Sequence, residues 1–223
     1  MNERRALGFG LSAVLLWSTV ATAFKLTLAE FTPIQMLTIA SIVSATALIT
    51  VCGAQGKLNQ LGNTFLSNPW YYLLLGLINP LAYYLILFKA YDLLPASQAQ
   101  AINYSWAITL TLMAAVFLGQ KIRGKDWIAC GFSYLGVIVI ATKGNVLGMD
   151  FESPLGVGLA LLSTLLWASY WILNTKNKAD PVVGVLLGFL VAIPFAIGLS
   201  IYEAQIGPNH SQRLGSSDLC RLV

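Results

Sequence analysis

Long apolar stretches separated by short polar connections make up most of the chain. A helix rises about 1.5 Å per residue, so about 20 apolar residues are needed to cross roughly 30 Å of hydrocarbon. Seven stretches reach or approach that length, and they predict an all-α, polytopic membrane helix bundle. The predicted spans are Ala6–Leu28, Pro33–Cys52, Trp70–Ala90, Gln98–Leu118, Trp127–Thr142, Leu155–Leu173 and Pro181–Tyr202.

The composition strengthens this interpretation and removes several others. Hydrophobic residues make up 57% of the chain and charged residues only 10%, against about 25% charged residues in soluble domains. A water-soluble fold, a disordered chain and a nucleic-acid-binding protein are therefore not expected, and the lipid bilayer is the expected surrounding. Three cysteines, and one histidine at position 210, indicate no disulfide framework, no metal site and no cofactor. The oligomeric state stays open.

The distribution of Lys and Arg predicts the orientation. With the N-terminus in the cytoplasm, the cytoplasmic segments hold eight basic residues, whereas the opposite connections hold Lys143 alone. Basic residues concentrate on the cytoplasmic side of bacterial membrane proteins. The sequence therefore predicts a multi-pass protein of the cell inner membrane with a cytoplasmic N-terminus. The eight residues are Arg4, Arg5, Lys57, Lys121, Arg123, Lys125, Lys176 and Lys178.

A short motif occurs twice along the chain. Gly8 is followed, after six residues, by Leu-Leu-Trp17, and Gly158 is followed in the same way by Leu-Leu-Trp167. Five predicted spans lie between the two starts, so the second copy would enter the membrane from the other side. Such inverted repeats are typical of secondary transporters, with the substrate site between the copies. The alternative is chance recurrence in a Leu-rich chain.

The repeat predicts the domain organisation. Residues 1–145 form a first unit of five spans, and residues 153–202 form the start of a second unit. Residues 203–223 are polar and lack helical apolar spacing, which we interpret as the end of a truncated or frame-shifted chain. A seven-helix protein with a soluble tail is the alternative.

Several of these motifs resemble EamA-type members of the drug/metabolite transporter superfamily. The resemblance rests on the segment from Trp17 through Lys25 to Pro33, on Ala101-Ile102-Asn103-Tyr104-Ser105-Trp106, on Gly119-Gln120-Lys121 and on the second start at Trp167. It implies ten helices in two inverted repeats of five, and export or exchange of small metabolites.

The run around Asn103 is nearest to the branch of bacterial aromatic amino-acid exporters. In that branch the resemblance places Tyr104, Trp106 and Trp167 around a central cavity. Ala107 stands where the branch usually has Pro, and Gln120 where many relatives have an acid.

Helical spacing identifies further side chains for a substrate path, because such a path needs polar or aromatic groups that face away from lipid. Ser18 and Thr22 share one face of the first span, while Asn79 and Tyr83 share one face of the third. On the sixth span, Ser163, Trp167, Tyr170 and Asn174 lie on one face. The predicted substrate-binding residues are Trp17, Ser18, Thr22, Asn79, Tyr83, Asn103, Tyr104, Trp106, Trp167 and Tyr170.

Each of these residues has a plainer interpretation. Ser and Thr often bond to their own helix, and mid-span Trp can simply pack between helices. Lys25 and Lys89 can extend toward the surface or contact an anionic group. Pro80 predicts a kink in the third span, either static or hinged. Trp and Tyr near span ends form interfacial belts, to which we assign Trp70, Tyr71, Tyr72, Trp127 and Trp171.

The acidic residues bear on the mechanism, because all nine Asp and Glu lie at or beyond span ends. A buried carboxylate is the usual proton relay of a coupled transporter, so the sequence favours gradient-driven transport. The predicted function is export or exchange of small metabolites, aromatic or other neutral amino acids, by alternating access. An intramembrane enzyme is not expected, because no span pairs a nucleophile with a base. A non-transporting membrane subunit or sensor is the alternative.

Overall fold

The structure is a computed structural model that describes residues 3–147 and 153–206. The polar tail predicted from the sequence lies outside the described residues beyond residue 206. The described parts of the chain form ten α-helices and one π-helical segment, Leu77–Ala82, between α4 and α5. The helices are α1 Glu3–Glu30, α2 Pro33–Ala54, α3 Gln60–Ser67, α4 Pro69–Gly76, α5 Tyr83–Leu93, α6 Ala96–Asn103, α7 Trp106–Leu118, α8 Gly124–Ala141, α9 Pro154–Asn174 and α10 Pro181–Ile206.

Seven helical stretches in the described residues are long and apolar enough to cross a membrane. They confirm the seven spans predicted from the apolar pattern, with ends that differ by a few residues. The third span is built from α4, the π-helical segment and α5, and the fourth from α6 and α7. The remaining spans are α1, α2, α8, α9 and α10.

The helix α3 was not predicted from the sequence. It has eight residues, which is too short for a span, and it lies in the connection between the second and third spans. Leu61 and Phe65 pack against a buried cluster that includes Tyr72, while Leu66 is exposed. The helix is therefore amphipathic, as expected for a segment at a membrane surface.

The third span is kinked where the sequence predicts it. Asn79 has the non-helical angles φ −143° and ψ 117°, and the Asn79-Pro80 peptide is cis. Pro80 supplies no backbone N–H, so the α-helical ladder is interrupted at this point. The kink changes the direction of the span between α4 and α5.

The fourth span is interrupted as well, although Ala107 replaces the expected Pro. Tyr104 and Ser105 form a turn between α6 and α7. The Ser105 backbone N–H donates to the Ile102 carbonyl at 3.1 Å, and the Ser105 hydroxyl donates to the same oxygen at 2.8 Å. Ser163 makes the same kind of bond to the Ala160 carbonyl inside the unbroken α9, so the Ser105 bond accompanies the break in the fourth span but does not explain it.

Packing divides the helices into two neighbourhoods. α10 lies along α2 and α4, with buried clusters near its start and along its middle, whereas α9 lies against α5, α6 and α7. At Gly76 the backbones of α4 and α10 touch, because a Cβ there would lie 2.8 Å from the Gly188 carbonyl oxygen. α1 and α8 bury the smallest share of their residues.

The two ends of the bundle differ in charge. The connections after α2, α7 and α9 meet at one end, which we call the basic end; the other is the opposite end. At the basic end, the Lys57 ammonium pairs with Asp180 at 2.6 Å. At the opposite end, the Thr32 hydroxyl donates to a Glu203 carboxylate oxygen at 2.6 Å. The basic end carries Lys57, Lys121, Arg123, Lys125, Lys176 and Lys178.

Some expectations for residues near span ends need correction. Trp70 and Trp127 are exposed, as an interfacial belt requires, but the Tyr72 side chain is 5% exposed and therefore does not face lipid. Lys25 does not extend freely, because its ammonium donates to the Tyr91 carbonyl at the end of α5. Lys89 pairs with Asp92 on its own helix at 2.7 Å.

Candidate functional site

An internal cavity of about 100 Å³ lies among α1, α5, α6, α7 and α9. Its residues come from the middle of these helices and from the halves nearer the opposite end. No charged side chain is found among the described residues that line it. The lining residues are Trp17, Val20, Phe24, Tyr83, Tyr84, Leu87, Tyr91, Gln100, Asn103, Tyr104, Trp106 and Trp167.

A chain of buried polar groups crosses this cavity from α5 to α9. The Tyr83 hydroxyl donates to the Asn103 side-chain oxygen at 3.5 Å, and the Asn103 amide donates to the Ser163 hydroxyl at 3.0 Å. The Ser163 hydroxyl in turn donates to the Ala160 carbonyl at 2.7 Å. Buried polar groups inside a membrane need such partners, so the chain fixes the orientation of the Asn103 amide at mid-depth.

Aromatic rings surround this polar chain. The Trp167 indole lies 4.6 Å from the Tyr83 ring and 6.3 Å from the Trp106 ring, measured between centroids. On its basic-end side it approaches Tyr170 at 6.1 Å. Aromatic pairs at these distances attract one another beyond simple burial. The rings form a surface on which another flat apolar group can stack.

Among the described polar groups that line this cavity, the Trp167 indole N–H lacks a hydrogen-bond acceptor. Its nitrogen is buried and has no hydrogen-bond partner within the part of the chain that the structure describes. A buried donor without an acceptor is destabilising by about 1–3 kcal/mol. A bound molecule with an acceptor oxygen would satisfy it.

A wider groove of about 780 Å³ opens beside the cavity between α1 and the fourth span. Trp17, Tyr104 and Trp106 line both spaces, so the groove and the cavity adjoin. The Gln100 amide donates to the Tyr104 hydroxyl at 2.8 Å on this side. The cavity therefore communicates with a lateral opening toward α1.

The structure brings most of the predicted site residues together. Trp17, Tyr83, Asn103, Tyr104, Trp106 and Trp167 line the cavity, Tyr170 packs against Trp167, and Ser18 lines the adjoining groove. Two predicted residues lie elsewhere. Thr22 is exposed on α1, and Asn79 lies in the π-helical segment, where its side-chain oxygen is buried without a partner among the described residues.

Several residues that line the cavity were not predicted from the sequence. Phe24, Tyr84, Tyr91 and Gln100 all contribute to it. Phe24 stacks edge-on against Tyr91 at 5.5 Å. Helical spacing could have identified Phe24, because it follows Trp17 by seven residues and the two side chains therefore lie on the same face of a helix.

Beside the cavity, a group of hydroxyls lies between α7, α8 and α9. The Thr109 hydroxyl is 3.0 Å from the Thr164 hydroxyl and 3.2 Å from the Tyr134 hydroxyl. Thr164 also donates to the Leu161 carbonyl at 2.7 Å. These contacts join α7, α8 and α9 beside the cavity.

Comparisons with known proteins agree with this architecture. The aromatic amino acid exporter YddG of Ancylobacter novellus is 25% identical to this chain over 217 residues, which cover 96% of this chain and 74% of the exporter. No solved structure was found to match. Residues 4–142 match the EamA-like transporter family, which is more than half of the chain. The protein is therefore a multi-pass membrane protein that belongs to the EamA-like transporter family.

Proposed function

We propose that this transporter exports or exchanges small neutral amino acids, and aromatic ones in particular. The observation that carries the proposal is the uncharged cavity at mid-depth, in which amide and indole N–H groups lie beside stacked rings. A substrate with net charge would enter such a cavity at a high desolvation cost. A neutral zwitterion keeps its net charge at zero, which lowers that cost.

Each part of such a substrate finds a complementary group. The side-chain ring can stack on Trp167, Trp106 or Tyr83, as aromatic groups do in buried sites. The carboxylate can accept from the unpaired Trp167 indole N–H. The Asn103 and Gln100 amide oxygens can accept from the ammonium. The exporter from Ancylobacter novellus, named for aromatic amino acids, supports the same substrate class.

The proposal includes alternating access between two inverted units. Trp17 and Trp167 occupy the same place in the repeated Leu-Leu-Trp motif, and both line the cavity. This arrangement supports residues 1–145 as one unit and residues 153–202 as the start of its inverted counterpart, with a site between them. The basic end would lie in the cytoplasm of a cell with this protein in its inner membrane.

Reconstituted flux tests the function. Liposomes with the purified protein should take up radiolabelled phenylalanine with saturable kinetics, and unlabelled tyrosine should compete whereas glutamate and lysine should not. Trp106→Ala should weaken uptake without loss of membrane insertion. If phenylalanine uptake equals that of empty liposomes while another metabolite class is transported, the amino-acid assignment is wrong.

Thiol labelling tests the topology. A Cβ added at Gly8 or at Gly158 would meet no atom within 4 Å, so a cysteine fits at either position. In a background without other cysteines, an impermeant reagent should label the Gly8→Cys variant from the cytoplasm and the Gly158→Cys variant from outside. Labelling of both variants from one side would contradict inverted units.

A further inference from the structure

A second cavity of about 630 Å³ lies at the basic end, apart from the central one. It is bounded by α3 and the start of α4 on one side and by the α9–α10 connection on the other. A larger share of its surface is polar than in the lateral groove. The lining residues are Asn63, Thr64, Ser67, Asn68, Tyr71, Tyr72, Lys176, Asn177, Lys178 and Ala179.

Two tyrosine hydroxyls form the inner wall of this second cavity. The Tyr71 hydroxyl donates to the Leu173 carbonyl at 2.9 Å, and the Tyr72 hydroxyl donates to the Asn177 side-chain oxygen at 3.1 Å. Leu173 lies in the last turn of α9, and its carbonyl also accepts from the Lys176 backbone N–H at 3.1 Å. The Tyr71 bond therefore ties α4 to the end of α9, and the Tyr72 bond ties it to the α9–α10 connection.

Residues of α9 contact the walls of both cavities. Tyr170, one helical turn before Leu173, packs against Trp167, which lines the central cavity. On the other side of Leu173, the Tyr71 hydroxyl lines the second cavity. Along α9, Leu173, which Tyr71 contacts at the second cavity, therefore lies six residues after Trp167, at the central cavity.

Few other interactions hold α4 against the end of α9. α4 packs mainly against α10, through the close backbone approach at Gly76, and makes few direct contacts with α9. Hydrogen bonds between membrane helices are weak, so each tyrosine bond shifts an equilibrium by about threefold. Together the two bonds favour the closed state over the open state by about tenfold. Thermal motion can overcome a preference of this size during a transport cycle.

The chemistry of the cavity matches a carboxylate-bearing substrate. Lys176 and Lys178 lie at its rim, whereas Lys57 is already paired with Asp180. Lys ammonium groups bind carboxylates as flexible point charges. The nearby Asn and Thr oxygens can accept from a substrate ammonium.

We propose that this cavity is the entrance to the transport path at the basic end, that it admits carboxylate-bearing small molecules, and that the Tyr71 and Tyr72 hydroxyls keep it closed from the central cavity. The inference rests on the proposed transport function. The entrance would be a second substrate-binding site, and the two tyrosine bonds would break when the path opens to that side.

Thiol accessibility tests the closure without relying on transport. Cys52, Cys130 and Cys220 are replaced by Ser, and Ser163, which is fully buried beside Asn103, is replaced by Cys. A membrane-impermeant methanethiosulfonate is applied to the basic end in inside-out vesicles. Adding Tyr71→Phe and Tyr72→Phe should raise the labelling rate of the thiol introduced in place of Ser163 about tenfold. Both substitutions keep the aromatic ring and remove only the hydroxyl bond.

The matched control is Tyr202→Phe, at an exposed tyrosine near the end of α10, which should leave the labelling rate unchanged. A rate within twofold of the parent in the Tyr71 and Tyr72 variant would overturn the closure. An equal increase in the Tyr202 control would overturn it as well.

Kinetics test the entrance itself. Lys176→Gln with Lys178→Gln should raise the half-saturating phenylalanine concentration at the basic end several-fold in phosphatidylcholine liposomes. Because the ratio of maximal rate to half-saturation is equal in both directions for an uncoupled carrier, flux from the opposite end should lose maximal rate instead. Lys121→Gln, at the same end but outside the cavity, is the control and should change neither quantity.

The outcomes separate the two proposals. Absence of flux in the unaltered protein would count against the transport function, while the labelling result would still decide the closure. Normal flux with unchanged kinetics in the lysine variant would overturn the entrance. A lysine effect that appears only when phosphatidylglycerol is added would assign these lysines to lipid headgroups and also overturn it.

Discussion

The unpaired indole N–H of Trp167 gives the sharpest prediction. Trp167→Phe removes that donor and keeps an aromatic ring against Tyr83, whose ring centroid is 4.6 Å away. If the substrate carboxylate accepts from this N–H, the variant loses a hydrogen bond to a charged group, which is worth about 1.5–3 kcal/mol. The dissociation constant for phenylalanine should therefore rise by at least about tenfold.

The same substitution should have a small effect on the empty protein. The indole nitrogen is buried without a partner among the described residues, so its removal relieves a penalty of about 1–3 kcal/mol. The smaller ring gives up packing of a similar size. The two contributions oppose each other, and the midpoint of unfolding without substrate should stay within a few degrees of the parent.

Binding and unfolding measured on the same detergent-solubilised samples test both expectations. At a phenylalanine concentration 100 times the parent dissociation constant, the parent should gain about 2.7 kcal/mol of stability and the variant about 1.4 kcal/mol. Trp171→Phe is the matched control, because Trp171 stacks on Trp167 but does not line the central cavity. Unchanged affinity in Trp167→Phe, or an equal loss in Trp171→Phe, would refute the role of this N–H.

Two further predictions concern stability. Gly76→Ala should destabilise the folded protein by about 1–3 kcal/mol, because the new Cβ would lie 2.8 Å from the Gly188 carbonyl oxygen. Thermal unfolding measures this loss. The control Gly158→Ala, where a Cβ meets open space, should not lower the unfolding midpoint. The hydrogen bond from the Lys57 ammonium holds the pKa of the Asp180 carboxyl below its ordinary value, so the carboxylate stabilises the fold above about pH 4 and this stability is lost as the pH falls through the lowered pKa. Asp180→Asn should therefore lower the unfolding midpoint at pH 7 and weaken its decline in acid; an unchanged acid profile would contradict the ion pair's contribution.

The number and placement of the spans could be read from the sequence because bilayer thickness sets their length. Hydropathy is less informative where a span is broken. The turn at Ser105 contains no proline, and its serine bonds to the Ile102 carbonyl as serines also do inside unbroken helices, so the sequence does not identify such a turn beforehand. α3 was missed for a related reason, since eight residues are fewer than the length that a span requires.

The cavity residues show a different limit. Helical spacing tells which side chains share a face, but it does not tell which face turns toward the neighbours. The face that starts at Ser18 leads to Thr22, which is exposed. Starting from Trp17 leads instead to Val20 and Phe24, at three and seven residues, and both line the cavity. The repeated Leu-Leu-Trp motif was the better guide, because it marked Trp17 and Trp167 together.

The distribution of contacts also indicates where the bundle can move. α2 and α10 are joined along their whole length, by the Lys57–Asp180 pair at the basic end, by buried clusters between, and by the bond from Thr32 to Glu203 at the opposite end. Opening between these two helices would break all of these contacts at once. α4, by contrast, is joined to the end of α9 mainly by the Tyr71 hydroxyl, and to the α9–α10 connection by the Tyr72 hydroxyl. A movement that exposes the central cavity to that end is therefore least costly along the boundary between α4 and the end of α9, where Tyr71 bonds to Leu173.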